Sequence, residues 1–119
     1  MKMLGLLLLF GLSFSSCSIN SNLYIDGGQQ FVLGYNEHKS FNTKIENVGN
    51  TTVALAQRLP NGDEVDLGKL EAGQSISTQF SPNCAAILTN TDAEKQAKLQ
   101  VKVTGDKGLN MEYERVNED

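Results

Sequence analysis

The sequence is poor in the residues on which most site chemistry depends. It has no tryptophan, two prolines, two cysteines and a single histidine. With His38 alone, a hydrolase triad or a multi-histidine zinc site lacks its parts within one chain. A blue-copper set needs two histidines, a cysteine and a weak methionine. His38, Cys84 and Met111 leave it one imidazole short. No ordered Asp-x-Asp-x-Asp-Gly calcium loop and no phosphate-cradling glycine motif is present. Basic residues are also thin: Lys95, Lys98 and Lys102 form the densest run, interleaved with Glu94 and Gln100, in a chain of net charge −4. A phosphate backbone needs a concentrated cationic footprint, so nucleic acid is not expected as a partner. No catalytic residue, metal or cofactor is assigned.

The one long apolar run, Leu4 to Leu12, is about half the ~20 residues that a membrane-spanning helix needs. Lys2 precedes it and Ser13, Ser15 and Ser16 follow it, which is the anatomy of a secretory signal peptide. Phe14-Ser15-Ser16-Cys17 resembles the lipobox of bacterial lipoproteins, in the looser form of the Bacteroidetes type, with Phe14 where Leu is usual. The resemblance implies a signal peptide over 1–16 and lipid attachment at Cys17. It further implies a lipid-anchored tether over 17–22 and a place in the cell envelope. Ser18, not being Asp, points to the outer membrane, with the domain facing the periplasm or the surface. Each buried acyl methylene contributes about 0.8 kcal/mol, so two chains hold a protein durably at a bilayer. The alternative is a conventional cut after Ser13-Phe14-Ser15, which leaves Cys17 an ordinary thiol able to pair with Cys84. Cys84 itself reads as a buried structural thiol.

From residue 23 the pattern is that of strands. Phe41, Thr43 and Ile45 alternate with Asn42, Lys44 and Glu46, the period of two of a half-buried strand. Val53 and Leu55, Val65 and Leu67, Ile76 to Phe80, Ala85 to Thr89, Leu99 to Val103 and Leu109 to Tyr113 continue it. Tyr24-Ile25 and Gln29 to Leu33 flank Asp26-Gly27-Gly28 as one bulged strand or two. Turns are signalled at Asn47 to Asn50, at Pro60-Asn61-Gly62-Asp63, where both residues of Asn-Gly accept positive φ, at Ser81-Pro82-Asn83 and at Gly105 to Gly108. Thr91-Asp92-Ala93-Glu94 matches a capping box and predicts a single helical turn. Strands at this spacing predict one all-β antiparallel sandwich of about seven to nine strands over 23–116, with 117–119 a frayed tail.

The stretch from Phe41 to Phe80 resembles an immunoglobulin-like sandwich of the CARDB type found in bacterial exported proteins. Phe41, Ile45, Asn47, Gly49 and Val53, then Leu67, Leu70 and Gly73-Gln74-Ser75 carry the likeness. It speaks for fold and carries almost nothing about activity.

The remaining candidates are few. Asp63, Glu64 and Asp66 cluster beside one turn, and Glu112 and Glu114 share one face of the last strand, but no cleft-building insertion accompanies them. Asn50-Thr51-Thr52 reads as turn chemistry and not as a glycosylation acceptor. His38, between Glu37 and Lys39, reads as solvated. The expected function is a non-catalytic interaction or structural module of the envelope, held by its lipid anchor and meeting an unknown protein or glycan. A carbohydrate-binding module would use Tyr24, Tyr35 or Tyr113 as stacking platforms. An enzyme inhibitor would use the 60–66 or 105–108 loop.

Overall fold

The computed structural model describes residues 18–116. Nine strands follow one another: β1 (Ile19–Ile25), β2 (Gln29–Leu33), β3 (Phe41–Asn47), β4 (Val53–Arg58), β5 (Glu64–Leu70), β6 (Ser75–Phe80), β7 (Ala85–Asn90), β8 (Ala97–Gly105) and β9 (Met111–Arg115). They form two antiparallel sheets, in the orders β1-β8-β3-β6 and β5-β4-β7-β2-β9. The expected antiparallel β-sandwich of seven to nine strands is therefore what the chain forms. Within that class the strand order is that of a jelly roll, in which successive strands cross between sheets except in the β4–β5 hairpin, with β9 added beside β2. β1 to β8 each place inward-facing side chains in the shared core. Phe41 and Phe80, paired across β3 and β6, stack with ring centroids 5.1 Å apart. Ile25, Ile45, Val53, Leu88 and Leu99 pack in the same core, fully buried.

Three local expectations are corrected. The segment read as a tether is, from Ile19 on, the outer half of β1, paired with β8 from Ile19 opposite Val103 to Ile25 opposite Ala97. Its serine and asparagines hid the period because only Leu23 and Ile25 reach the core. No helical turn forms at 91–96. Thr91 Oγ1 instead donates to Thr52 O, and Asp92 Oδ1 accepts from the amides of Glu94 and Lys95 at 2.7 and 2.8 Å. The cap chemistry is present without the helix it was read as starting. In the Pro60–Asp63 turn only Gly62 takes a positive φ, 96°, and the loop closes through Leu59 and Asp63. Proline at 60 fixes its own φ near −65°, which suits a wider loop better than a two-residue one. The Asp26-Gly27-Gly28 ambiguity resolves into two strands, one in each sheet.

Buried polar side chains join the sheets at both ends. Asn47, closing β3, donates from Nδ2 to Leu70 O of β5 at 2.9 Å and to Thr51 O at 2.7 Å, while its Oδ1 accepts from Gly49 N. Asn90, closing β7, does the same in the opposite direction. Its Nδ2 donates to Ile25 O of β1 and to Lys95 O, and its Oδ1 accepts from Asp92 N. At the far end His38 is buried and not solvated. Its Nδ1 lies 2.6 Å from Lys39 O, and its Nε2 lies 2.9 Å from both Gly34 O and Cys84 O. All three neighbours are carbonyl acceptors, and a neutral imidazole carries one N–H, so one ring nitrogen donates at that corner, with Phe41 against the ring at 5.1 Å. The charged neighbours Glu37 and Lys39 suggested solvent, but they point outward while the ring turns in. Cys84 is buried, as expected. Cys17, the signal peptide and residues 117–119 lie outside the described residues.

Removing one clasp leaves two buried carbonyls and an amide without partners. Asn47→Ala is expected to lower the unfolding free energy by about 2–4 kcal/mol. The exposed Asn42→Ala should stay within about 0.5 kcal/mol of wild type. Urea titration of the two variants beside wild type measures both.

Candidate functional site

The two outer faces of the sandwich differ in kind. On the five-stranded sheet, Arg58 of β4 bonds Glu64 of β5 at 3.0 Å and Glu114 of β9 at 3.3 Å. Strands lie about 4.8 Å apart, so β4 and β9, with β7 and β2 between them, are roughly 14 Å apart. The bridge crosses that gap. Gln30 of β2 donates to Glu114 at 2.9 Å and accepts from Thr89 of β7 at 2.9 Å, so the network touches all five strands. Beneath it lies a small outward-facing apolar cluster: Val32 at 0% exposure, Ile87 at 1% and Ala85 at 4%. Long polar side chains laid over apolar surface account for that burial.

The electrostatics follow the geometry. The hydrogen bonds from Arg58 hold the Glu114 carboxyl below the ordinary carboxylate range, aided by Gln30. Glu112, next along that face, is raised, first by sharing a hydrogen bond with Glu114 and then by the loss of hydration. The two glutamates thus share one face, as expected, and the environment separates them. Asp63, Glu64 and Asp66 do not form a common site. Asp63 bonds Asn61, Glu64 bonds Arg58, and Asp66 accepts from Gly68 N in a β-bulge where Gly68 has φ 109°.

The three tyrosines proposed as sugar platforms are all about half exposed and do not come together. Tyr24 lies on the outer face of the four-stranded sheet, opposite Lys98. Tyr113 lies on β9 with its ring edge-on to Phe31 at 5.3 Å. Because β9 is the fifth strand of its sheet and the facing sheet has four, Met111 and Tyr113 have no strand across from them and stay exposed. Tyr35 lies at the lip of a groove of ≈ 410 Å³ at one end of the sandwich, with Glu37, Arg58, Pro60 and Asn83 on its walls. The other loop singled out, 105–108, is tied down: Asp106 accepts from Gly108 N and from Lys39 N.

The outer face of the four-stranded sheet was not singled out by the sequence. One cross-strand row runs Asn20, Lys102, Lys44, Ser77, and the next runs Asn22, Gln100, Glu46, Ser75. Lys44 and Lys102 are direct partners across β3 and β8. Both ion pairs among the described residues belong to Arg58, so neither lysine is neutralised by one. Two shallow depressions, ≈ 380 and ≈ 350 Å³, flank this lysine pair and share both residues. The alternation in β3 and β8 made the row readable in principle. What was missing was the strand pairing that sets lysine beside lysine.

No protein-family model matches the chain, and no curated protein matches it. Among solved structures it is similar to the crystal structure of a Yersinia pseudotuberculosis-derived mitogen, at 9% identity and a TM-score of 0.45, over 74% of this chain and 85% of that one.

The Arg58 bridge makes a pH prediction with a definite sign. Glu114 titrates lower folded than unfolded, so its contribution is present above the unfolded glutamate value and is lost as pH falls through the folded one. Arg58→Gln is expected to cost about 1 kcal/mol at neutral pH and distinctly less in acid, once Glu114 is protonated. Urea unfolding of both proteins at the two pH values reads the difference.

Proposed function

We propose that this chain is a non-catalytic binding module of the bacterial cell envelope, lipid-anchored at Cys17 and carrying its ligand on an outer sheet face. The anchored reading is carried by Phe14-Ser15-Ser16-Cys17 at the exit of the short apolar run Leu4 to Leu12, and β1 starts at Ile19, which leaves Ser18 alone between Cys17 and the folded body. A lipid on Cys17 therefore holds one particular end of the sandwich at the bilayer. Antiparallel pairing puts the start of β1, the end of β2 and the start of β9 at that end. Ile19, Tyr35 and Met111, three of the large exposed hydrophobic residues, lie there. An apolar rim beside an acylated residue suits contact with the interfacial zone of a membrane.

The non-catalytic part rests on how the carboxylates are engaged. Glu64 and Glu114 hold Arg58, while Asp66 and Asp106 accept backbone amides. Such groups stabilise turns and strand pairs, and acid–base work needs them turned toward a substrate. The end groove beside Tyr35 faces the bilayer in this orientation, whereas both sheet faces stand upright and open to the surroundings. That arrangement favours a sheet face as the recognition surface over the end loops that an inserted-loop inhibitor would use.

Growth with an alkyne fatty acid is expected to label the wild-type protein and to leave Cys17→Ala unlabelled, with the variant moving from the membrane to the soluble fraction. Equal labelling of both proteins, or of neither, removes the anchor from this reading.

A further inference from the structure

We infer that the outer face of the four-stranded sheet, centred on Lys44 and Lys102, binds an acidic, hydroxyl-rich linear polymer: a uronate-bearing polysaccharide. The inference rests on the reading of the chain as a binding module and supplies its ligand class.

The first support is a conflict with the rules of sheet stability. Like charges directly opposite each other on neighbouring strands destabilise a sheet, and Lys44 stands opposite Lys102 in register. Around the pair stand Asn20, Asn22, Asn42 and Gln100, with Glu46, Ser77 and Thr104, and the three asparagines are exposed on strands, from which asparagine is depleted. No aliphatic side chain offsets this on the outward positions of β3 and β8. A local arrangement that works against the fold, without a packing reason, marks a functional surface.

The second support is charge. The chain is net acidic, yet this face carries Lys44, Lys98 and Lys102 against Glu46 alone among the charged residues of β1, β3, β6 and β8. The surplus is cationic and moderate. Duplex DNA carries one negative charge per ~1.7 Å and requires denser basic residues. An anionic membrane is met by clusters of about four to eight basic residues beside an apolar edge. A protein partner needs apolar or aromatic anchors buried at the centre of the contact, and Tyr24 at one margin is the only aromatic on this face. A uronate polymer fits what remains. Its spaced carboxylates match separated lysines, and its many hydroxyls match amide and hydroxyl side chains that both donate and accept. The two depressions that meet at the lysine pair, ≈ 380 and ≈ 350 Å³, together lie over all four strands of this sheet.

The test uses the full chain in detergent, with polygalacturonate as the probe and dextran as the neutral control. Wild type is expected to be retarded by polygalacturonate in affinity electrophoresis, to ignore dextran, and to lose retardation as salt rises. Lys44→Gln with Lys102→Gln is expected to weaken binding roughly five- to tenfold, the size of two exposed ion pairs. Lys69→Gln, on the other sheet, should leave it unchanged. Lys102→Glu separates binding from folding, because it places a glutamate opposite Lys44. It is expected to raise the melting temperature while abolishing retardation. No retardation of wild type by polygalacturonate overturns the inference. So do equal retardation by dextran, an unaffected double variant, or tighter binding to a single-stranded oligonucleotide or to phosphatidylglycerol vesicles. Fatty-acid labelling at Cys17 is read separately, so an absent glycan interaction leaves the anchor standing.

Discussion

The sandwich depends on how two amides at one end fix the sheets to each other. Hydrophobic burial between Phe41, Phe80, Ile45, Leu88 and their neighbours drives the sheets together, but it is non-directional and tolerates sliding. Asn47 and Asn90 do not tolerate it. Each sits at the end of a strand in one sheet and donates to a carbonyl at the edge of the other, Leu70 O and Ile25 O respectively. Each also turns its own chain by accepting from the amide two residues on. A displacement of one strand position would leave these buried groups unpaired, at a cost of some 1–3 kcal/mol apiece. His38 closes the opposite end by the same logic, with an imidazole in place of an amide.

This constraint also explains which features the sequence could reveal. The class of fold was legible because Phe41 to Ile45 and Leu99 to Val103 alternate cleanly, and their inward and outward sets are those the period indicated. Asn47 was read as a turn residue, which it is, but its inter-sheet donation depends on a carbonyl 23 residues away and leaves no local trace. His38 stands between charged residues that suggest solvent, and the carbonyl that draws its ring inward from Cys84 lies 46 residues on. The first half of β1 was hidden because its inward positions, Ile19 and Ser21, overhang the core and stay exposed. Strand order is the clearest case. Alternation says how each strand faces, and only hydrogen bonding says which strand is its neighbour.

The same gap separates the site residues that sequence suggested from those the fold assembles. Tyr24, Tyr35 and Tyr113 were chosen by residue type, and the fold distributes them over three surfaces. Glu112 and Glu114 were chosen by spacing and do share a face, yet Glu114 is occupied by a bridge that covers Val32 and Ile87. Lys44 and Lys102 are 58 positions apart and individually unremarkable among surface lysines. Only the β3–β8 register sets them side by side.

The two outer faces therefore hold polar residues for opposite reasons. On the five-stranded sheet, opposite charges meet across intervening strands and seal apolar side chains that would otherwise face water. On the four-stranded sheet, lysine faces lysine and asparagine occupies strand positions where threonine or valine would serve the sheet better. A fold clasped by Asn47, Asn90 and His38 can carry such a face, since its stability does not depend on the outward ladder of the four-stranded sheet. The inward stability and the outward mismatch are thus linked: the clasps make the mismatch tolerable, and the mismatch leaves a cationic, hydrogen-bonding surface on an acidic protein.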